Sequence, residues 1–100
     1  MAGRSTRRTK PALDDVEMAG MAKALAHPVR LRILRVLDER TTCVTGDVVL
    51  EVGLAQSTVS EHLRILREAG LIQGEIEGQR TRYCVNRDRL DAFKSGIVAL

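Results

Sequence analysis

Aromatic residues are almost absent from this chain of 100 residues, which has one Tyr, one Phe and no Trp. A hydrophobic core must therefore be built from aliphatic side chains and Met. The sequence also lacks any apolar run of about 18 residues, the length needed for a membrane-spanning helix. No apolar signal-peptide segment follows its basic start. We therefore expect a soluble, cytoplasmic protein.

Cysteine is scarce as well, with only Cys43 and Cys84 in the chain. Two cysteines are too few to hold together a small secreted domain, and nothing directs the chain to an oxidising compartment. We therefore expect both to be reduced thiols.

The net charge of +3 is unevenly distributed along the chain. Residues 1–10 contain four basic residues and no acidic one, so subtracting their +4 leaves −1 for the remaining 90 residues. Such a basic segment is either an arm that contacts phosphate or a disordered tail, of which the tail is the more common. We predict a disordered basic arm over residues 1–12 and one domain over residues 13–100, since this length suits a single core.

Hydrophobic periodicity predicts four helices in the first two thirds of the chain. The first two, residues 13–26 and the segment that begins at Pro28, are separated by His27, which precedes a proline and is expected at the helix junction. The third covers residues 46–52 and the fourth residues 56–69.

The fourth helix has two contrasting faces. Val59, Leu63 and Leu66 fall on one side at 100° per residue, whereas small polar residues, Glu61 and Arg64 fall on the other. A glycine-containing turn joins this helix to the preceding one, which is the pattern of a helix-turn-helix. An ordinary surface pair of helices is the alternative.

Two strand-like runs follow, residues 71–76 and 81–85, and a last helix is predicted over residues 87–98. A hairpin directly after a helix-turn-helix is typical of a winged helix. The predicted fold is therefore mainly α with a two-stranded β-hairpin, in the order α-α-α-α-β-β-α. Arg80 and Arg82 flank the predicted turn, where they could meet phosphate.

Two motifs strengthen this interpretation: KALAHPVRLRIL, from Lys23, and QSTVSEHLRILREAGLI, from Gln56. Together with the wing they resemble the ArsR/SmtB family of bacterial transcriptional repressors over about residues 13–98. The resemblance implies a homodimer formed by helices 13–26 and 87–98. It also implies binding to a palindromic operator in double-stranded DNA until an inducer releases the protein.

The resemblance makes helix 56–69 the recognition helix. Its polar side chains suit base edges and phosphates, and arginine suits guanine or phosphate. Glu61 could accept a hydrogen bond from cytosine or pair with Arg64, and we favour the pairing. The predicted DNA contacts are Gln56, Ser57, Thr58, Ser60, His62, Arg64, Arg80 and Arg82. For His62, packing is an alternative to a phosphate contact.

The sensor is less defined. Metal- and arsenite-sensing relatives use a Cys-Val-Cys run, but here Thr45 occupies the second cysteine position after Cys43. The last helix has aspartates but no histidine, so the family's zinc site there is also incomplete. Three hypotheses remain. Cys43 and Cys84, or their copies in the other subunit, form a reactive or disulfide-forming redox pair; Cys43 is one ligand of an incomplete or cross-subunit soft-metal or metalloid site; or both thiols are buried and passive. Of the two active roles, the position of Cys43 favours the metal site.

We therefore predict a ligand-responsive, dimeric DNA-binding repressor. The alternative is a winged-helix module that binds another protein and not DNA. An enzyme is not expected, because no nucleophile and base pair, phosphate-binding glycine loop or metal triad is recognisable in the sequence.

Overall fold

The computed structural model describes residues 12–40, 42–49 and 52–100. The predicted basic arm lies outside these residues except for residue 12. The described ranges contain five helices and three strands, in the order α1 (Asp15–Leu25), α2 (Pro28–Asp38), β1 (Val44–Thr45), α3 (Gly46–Val49), α4 (Gln56–Glu68), β2 (Ile72–Glu77), β3 (Arg80–Val85) and α5 (Arg87–Val98). This order confirms the predicted winged helix-turn-helix.

The first two helices begin at side-chain caps that the sequence encodes locally. Asp14 and Glu17 form a capping box at the start of α1, each accepting a hydrogen bond from the backbone N–H of the other. His27 caps α2, because its Nδ1 accepts from the backbone N–H of Val29 at 3.1 Å. The predicted junction role of His27 is thereby confirmed.

The sheet has one strand more than the sequence predicted. β2 and β3 form the expected antiparallel hairpin, whose turn contains Gly78 at φ 65°. β1, only two residues long, pairs with the other edge of β3, so the order across the sheet is β1-β3-β2. We call the hairpin β2–β3 the wing. β1, the strand that the sequence did not predict, therefore connects the start of α3 to the wing.

The core is almost entirely aliphatic, as the scarcity of aromatic residues predicted. α4 contributes Val59, Leu63 and Leu66, each at most 2 % exposed, so the predicted apolar face of this helix is buried. The other core residues come mainly from α1, α2, the sheet and α5: Met21, Ala24, Ile33, Leu34, Leu37, Val49, Val52, Leu71, Ile72, Val85, Leu90 and Phe93. This packing fixes the orientation of α4 on the body of the domain.

The end of α4 sets the direction of the wing. Gly70 has φ 83°, a left-handed conformation that glycine adopts without steric penalty. Its N–H donates to the carbonyl of Arg67, and the N–H of Leu71 donates to the carbonyl of Leu66. These two bonds form a Schellman motif. The chain therefore leaves the helix abruptly and enters β2 beside it.

The helix-turn-helix is compact at its turn. α3 comprises Gly46–Val49. Residues 50 and 51 of the predicted helix 46–52 lie outside the described residues. Gly53, at φ 85°, supplies the turn before α4. None of the helices in the described ranges is long and apolar enough to cross a membrane.

Candidate nucleic-acid interface

The first turns of α4 display polar side chains to solvent. Gln56, Ser57, Thr58 and Ser60 are all exposed, and Ala55 at the N-cap makes no side-chain capping bond. The helix N-terminus therefore presents backbone N–H groups together with short hydrogen-bonding side chains. Both kinds of donor suit base edges and phosphate oxygens.

A cleft separates α4 from the wing. It brings Gln56 and Ser60 of α4 together with Arg80 of the wing, three of the residues that the sequence predicted. The lining residues that were not predicted for the site include Thr45, Gly46, Asp47 and Tyr83, which come from β1, α3 and β3. Pairing of β1 with β3 places these residues there, and the sequence contains no evident signal for a strand so short.

Arg64 is exposed but bound by two carboxylates of its own helix. Its Nε and Nη2 donate to the two carboxylate oxygens of Glu61 at 2.9 and 2.5 Å, and its Nη1 donates to Glu68 at 2.8 Å. The favoured pairing of Glu61 with Arg64 is thus confirmed, and Glu68 was missed although it lies four residues on. Hydrogen bonding to Arg64 lowers the pKa of Glu61, and the two carboxylates raise the pKa of Arg64.

His62 is buried, which is a correction to its inclusion among the DNA contacts. Its ring lies 4.7 Å from that of His27, centroid to centroid, and its Nδ1 is 3.3 Å from Nη1 of Arg30. Burial lowers the pKa of His62, and the neighbouring His27 and Arg30 lower it further, against a small opposing effect of Glu61. His62 therefore packs α4 against the start of α2, the alternative that the sequence left open.

Arg82 lies on the wing as predicted, but its side chain is bound within the protein. It is half-buried, and its Nη2 donates to the backbone carbonyl of Cys43 at 2.6 Å. The alternation of side chains along β3 puts Arg82 and Cys84 on the same face of the strand. Arg82 therefore holds the segment before β1, whereas Arg80 remains exposed at the start of β3.

Cys43 and Cys84 form a disulfide, contrary to the expectation of reduced thiols. Val44 pairs with Tyr83, so the antiparallel register places Cys43 directly opposite Cys84. Their Cα atoms are 4.4 Å apart, close to the spacing of about 4.5 Å for directly opposed residues that do not share ladder hydrogen bonds. Of the three hypotheses for Cys43, the redox pair is the one that this geometry favours.

The predicted metal site lacks a matching cluster. Within the described ranges, no three His, Cys, Asp or Glu residues lie close enough together to hold a metal ion. In the disulfide, moreover, the Cys43 sulfur is not a thiolate and cannot act as a thiolate ligand.

The helices predicted to form the dimer interface carry exposed apolar residues. Val16 of α1 is 81 % exposed and Val98 of α5 is 86 % exposed, with Ile97 and Leu100 also accessible. Within the subunit, α1 and α5 are joined by an ion pair in which Nη2 of Arg89 lies 3.0 Å from a carboxylate oxygen of Glu17. These two helices thus present apolar surface that a second copy could cover.

The architecture and the exposed end of α4 beside a wing define a winged helix-turn-helix protein. Residues 27–73 match the family described as "Bacterial regulatory protein, arsR family". The chain is 33% identical over 77 residues to the HTH-type transcriptional regulator YgaV of Escherichia coli, covering 77% of this chain and 78% of YgaV. The chain belongs to the ArsR family of bacterial transcriptional regulators.

Two further comparisons agree with this family. The HTH-type transcriptional regulator CmtR of Mycobacterium tuberculosis is 40% identical over 68 residues, which are 68% of this chain but only 57% of CmtR. The solution structure of a homodimeric winged helix-turn-helix DNA-binding domain from Mycobacterium bovis, a possible ArsR-family regulator, superposes with TM-score 0.66 at 27% identity. The superposed region covers 84% of this chain and 80% of the Mycobacterium bovis chain.

Proposed function

We propose that the protein is a transcriptional repressor that binds a palindromic DNA operator as a homodimer. The observation that carries this proposal is the cleft in which the polar start of α4 faces Arg80 of the wing. A helix of this kind fits the major groove, and an arginine beside it can contact the adjacent phosphate backbone.

A symmetric dimer follows from the same geometry. The exposed apolar residues of α1 and α5 would be buried against their copies in a partner subunit. Two-fold symmetry would then place two α4 helices in successive major grooves, about 34 Å apart. An operator for such a pair has two inverted half-sites.

The contacts divide by chemistry. Gln56, Ser57, Thr58 and Ser60 would contact base edges or nearby phosphates, whereas Arg80 and the basic segment 1–12 would contribute phosphate contacts. Phosphate contacts release condensed counterions, so affinity should fall steeply with salt concentration.

We further propose that the redox state of Cys43 and Cys84 is the signal. Oxidation removes two protons and two electrons from the two thiols, forming the S–S bond, and a disulfide oxidant such as oxidised glutathione accepts both. The bond ties β1, and hence α3, to strand β3 of the wing. The two reading elements, the helix-turn-helix and the wing, are thereby held in one relative position.

The disulfide form is assigned as the released state. In this form Arg82 of β3 donates to the carbonyl of Cys43. Its guanidinium therefore points towards the protein and not towards a duplex. Reduction would loosen a strand of only two residues and permit the wing to adjust to a duplex. Coupling of this kind typically changes affinity by about 5- to 150-fold.

DNA binding is tested by selecting duplexes from a randomised pool with the reduced protein and measuring affinity for the enriched duplex. We expect Gln56→Ala combined with Arg80→Ala to weaken binding at least about tenfold, since groove and phosphate contacts are both removed. Arg35→Ala, which removes an exposed arginine of α2 outside the cleft, is the matched control. Unchanged binding by the double variant would refute this interface.

The redox assignment is tested with the same duplex, comparing protein treated with dithiothreitol and with oxidised glutathione. We expect the oxidised protein to bind about tenfold more weakly. A variant that combines Cys43→Ser with Cys84→Ser leaves no thiol for oxidised glutathione to modify, and it should bind with the same affinity after either treatment. Equal affinities of the wild-type protein in both states, or tighter binding when oxidised, would contradict the assignment.

The interaction-module alternative gains no support from the described residues or the relatives. The relatives named above are HTH-type transcriptional regulators, which agrees with a DNA-binding function.

A further inference from the structure

The most exposed side of α4 carries three charged residues that recur with the period of the helix. Glu61, Arg64 and Glu68 are three and four residues apart, which places them in one line on the side opposite Val59, Leu63 and Leu66. All three side chains are about half exposed or more, from 46 to 63 %. We call these three residues the charged ridge.

Within the ridge, every nitrogen of the single cation is bonded to a carboxylate. Each of the three nitrogens of Arg64 donates to a carboxylate oxygen, two bonds going to Glu61 and one to Glu68. The nearby Arg67 of the same helix lies against Gly74 of β2 and is not part of the ridge. The ridge therefore carries one positive and two negative charges, a net charge of −1.

A net negative ridge is an unusual feature of a helix that is to enter a groove lined by phosphates. On any duplex, the two carboxylates are repelled by the phosphates, and the charge of Arg64 is already paired with these carboxylates. Non-specific affinity, which depends on phosphate neutralisation, is consequently reduced. Only a DNA sequence that provides new hydrogen-bond partners for Arg64 and the carboxylates offsets the loss of their ion pairs.

We propose that Glu61 and Glu68 are specificity-determining residues that hold Arg64 in the unbound protein and release it only on a matching sequence. On such a sequence, Glu61 accepts from the amino group of a cytosine while Arg64 moves to a guanine or a phosphate. Glu68 restrains Arg64 on every other sequence. The inference rests on the proposed DNA-binding function.

The test uses two probes, the randomised duplex pool and the duplex that the wild-type protein enriches from it. We expect Glu61→Gln and Glu68→Gln each to tighten binding to the pool about fivefold, because each removes one attraction between unit charges that holds Arg64 at contact distance in water. Binding to the enriched duplex should tighten less, so the ratio of its affinity to the affinity for the pool should fall. Glu39→Gln, which removes one negative charge just beyond α2, is the matched control.

A double-mutant cycle separates a hold on Arg64 from simple repulsion of phosphate. In an Arg64→Ala background, Glu68→Gln should change pool affinity less than about twofold, because the cation that it releases is gone. Fully freed Arg64 also adds a phosphate contact, so the log–log salt slope for the pool should steepen by about 0.9 per subunit when Glu61→Gln and Glu68→Gln are combined.

The outcomes are distinct. A fivefold effect that persists in the Arg64→Ala background, or an equal effect of Glu39→Gln, would overturn the inference while DNA binding stands. If the wild-type protein binds neither probe, the proposed function fails and the inference fails with it.

Discussion

The charged ridge of α4 and the disulfide between β1 and β3 are organised in opposite ways. In the ridge, all partners lie within seven residues of one another and are held by exposed ion pairs. The disulfide joins residues 41 positions apart with a covalent bond. The ridge can exchange its partners for those of a duplex, whereas the disulfide changes only when electrons are transferred. One region is therefore suited to recognition and the other to control.

The largest expected effect comes from removing the support beneath the ridge. Leu66 of α4 is fully buried, so Leu66→Ala should lower the free energy of unfolding by about 2 to 5 kcal/mol. Ser60→Ala on the exposed side of the same helix is the control and should stay within about 0.5 kcal/mol of wild type. Denaturant unfolding followed by circular dichroism measures both. Similar losses in the two variants would contradict the assigned faces of α4.

Reduction of the disulfide should have the next largest effect. A bridge across 41 residues restricts the unfolded chain, and such a bridge typically contributes about 2 to 4 kcal/mol. We expect dithiothreitol to lower the midpoint of denaturant unfolding in the wild-type protein. The same reductant should leave Cys84→Ser unchanged, and a shift in that variant would point to another cause.

Acidification should weaken the packing of α4 on α2. The pKa of His62 is lowered in the folded protein by burial, with His27 and Arg30 adding to the effect. The unfolded state therefore binds more protons, and stability is lost as the pH falls from the ordinary value of 6.5 towards the lowered folded-state pKa. Thermal unfolding at about pH 7.5 and about pH 5.5 measures the loss, above the range in which Glu17 titrates.

His62→Gln provides the comparison for this pH effect. Whatever its stability at neutral pH, its dependence on pH over this interval should be shallower than that of the wild-type protein. Parallel pH profiles for the two proteins would assign the proton uptake to another group.

The smallest effect on stability should come from the ridge itself. Glu68→Gln breaks an ion pair between exposed side chains, and such pairs contribute little to stability because water screens them. We expect an unchanged thermal midpoint, measured together with the affinity for random duplex. A large drop in the midpoint would make the ridge a structural element and weaken its contrast with the disulfide.

Much of the interface was predictable because its signals are local. The period of Val59, Leu63 and Leu66 identified the buried face of α4, and the spacing of Glu61 and Arg64 indicated their pairing. His27 before Pro28 marked a helix junction. Residues within one or two helical turns meet whenever the helix forms, so no knowledge of the remaining fold was needed.

The sequence by itself determined the aliphatic core, the helix-turn-helix with its hairpin, and the pairing of Glu61 with Arg64 on α4, because periodicity and short spacings encode them. Only the tertiary structure decided that Cys43 faces Cys84, that Arg82 binds the Cys43 carbonyl and that His62 is buried. Each of these depends on a two-residue strand or on packing between distant helices. Such contacts form between residues far apart in the chain, and their register follows from the assembled sheet and core.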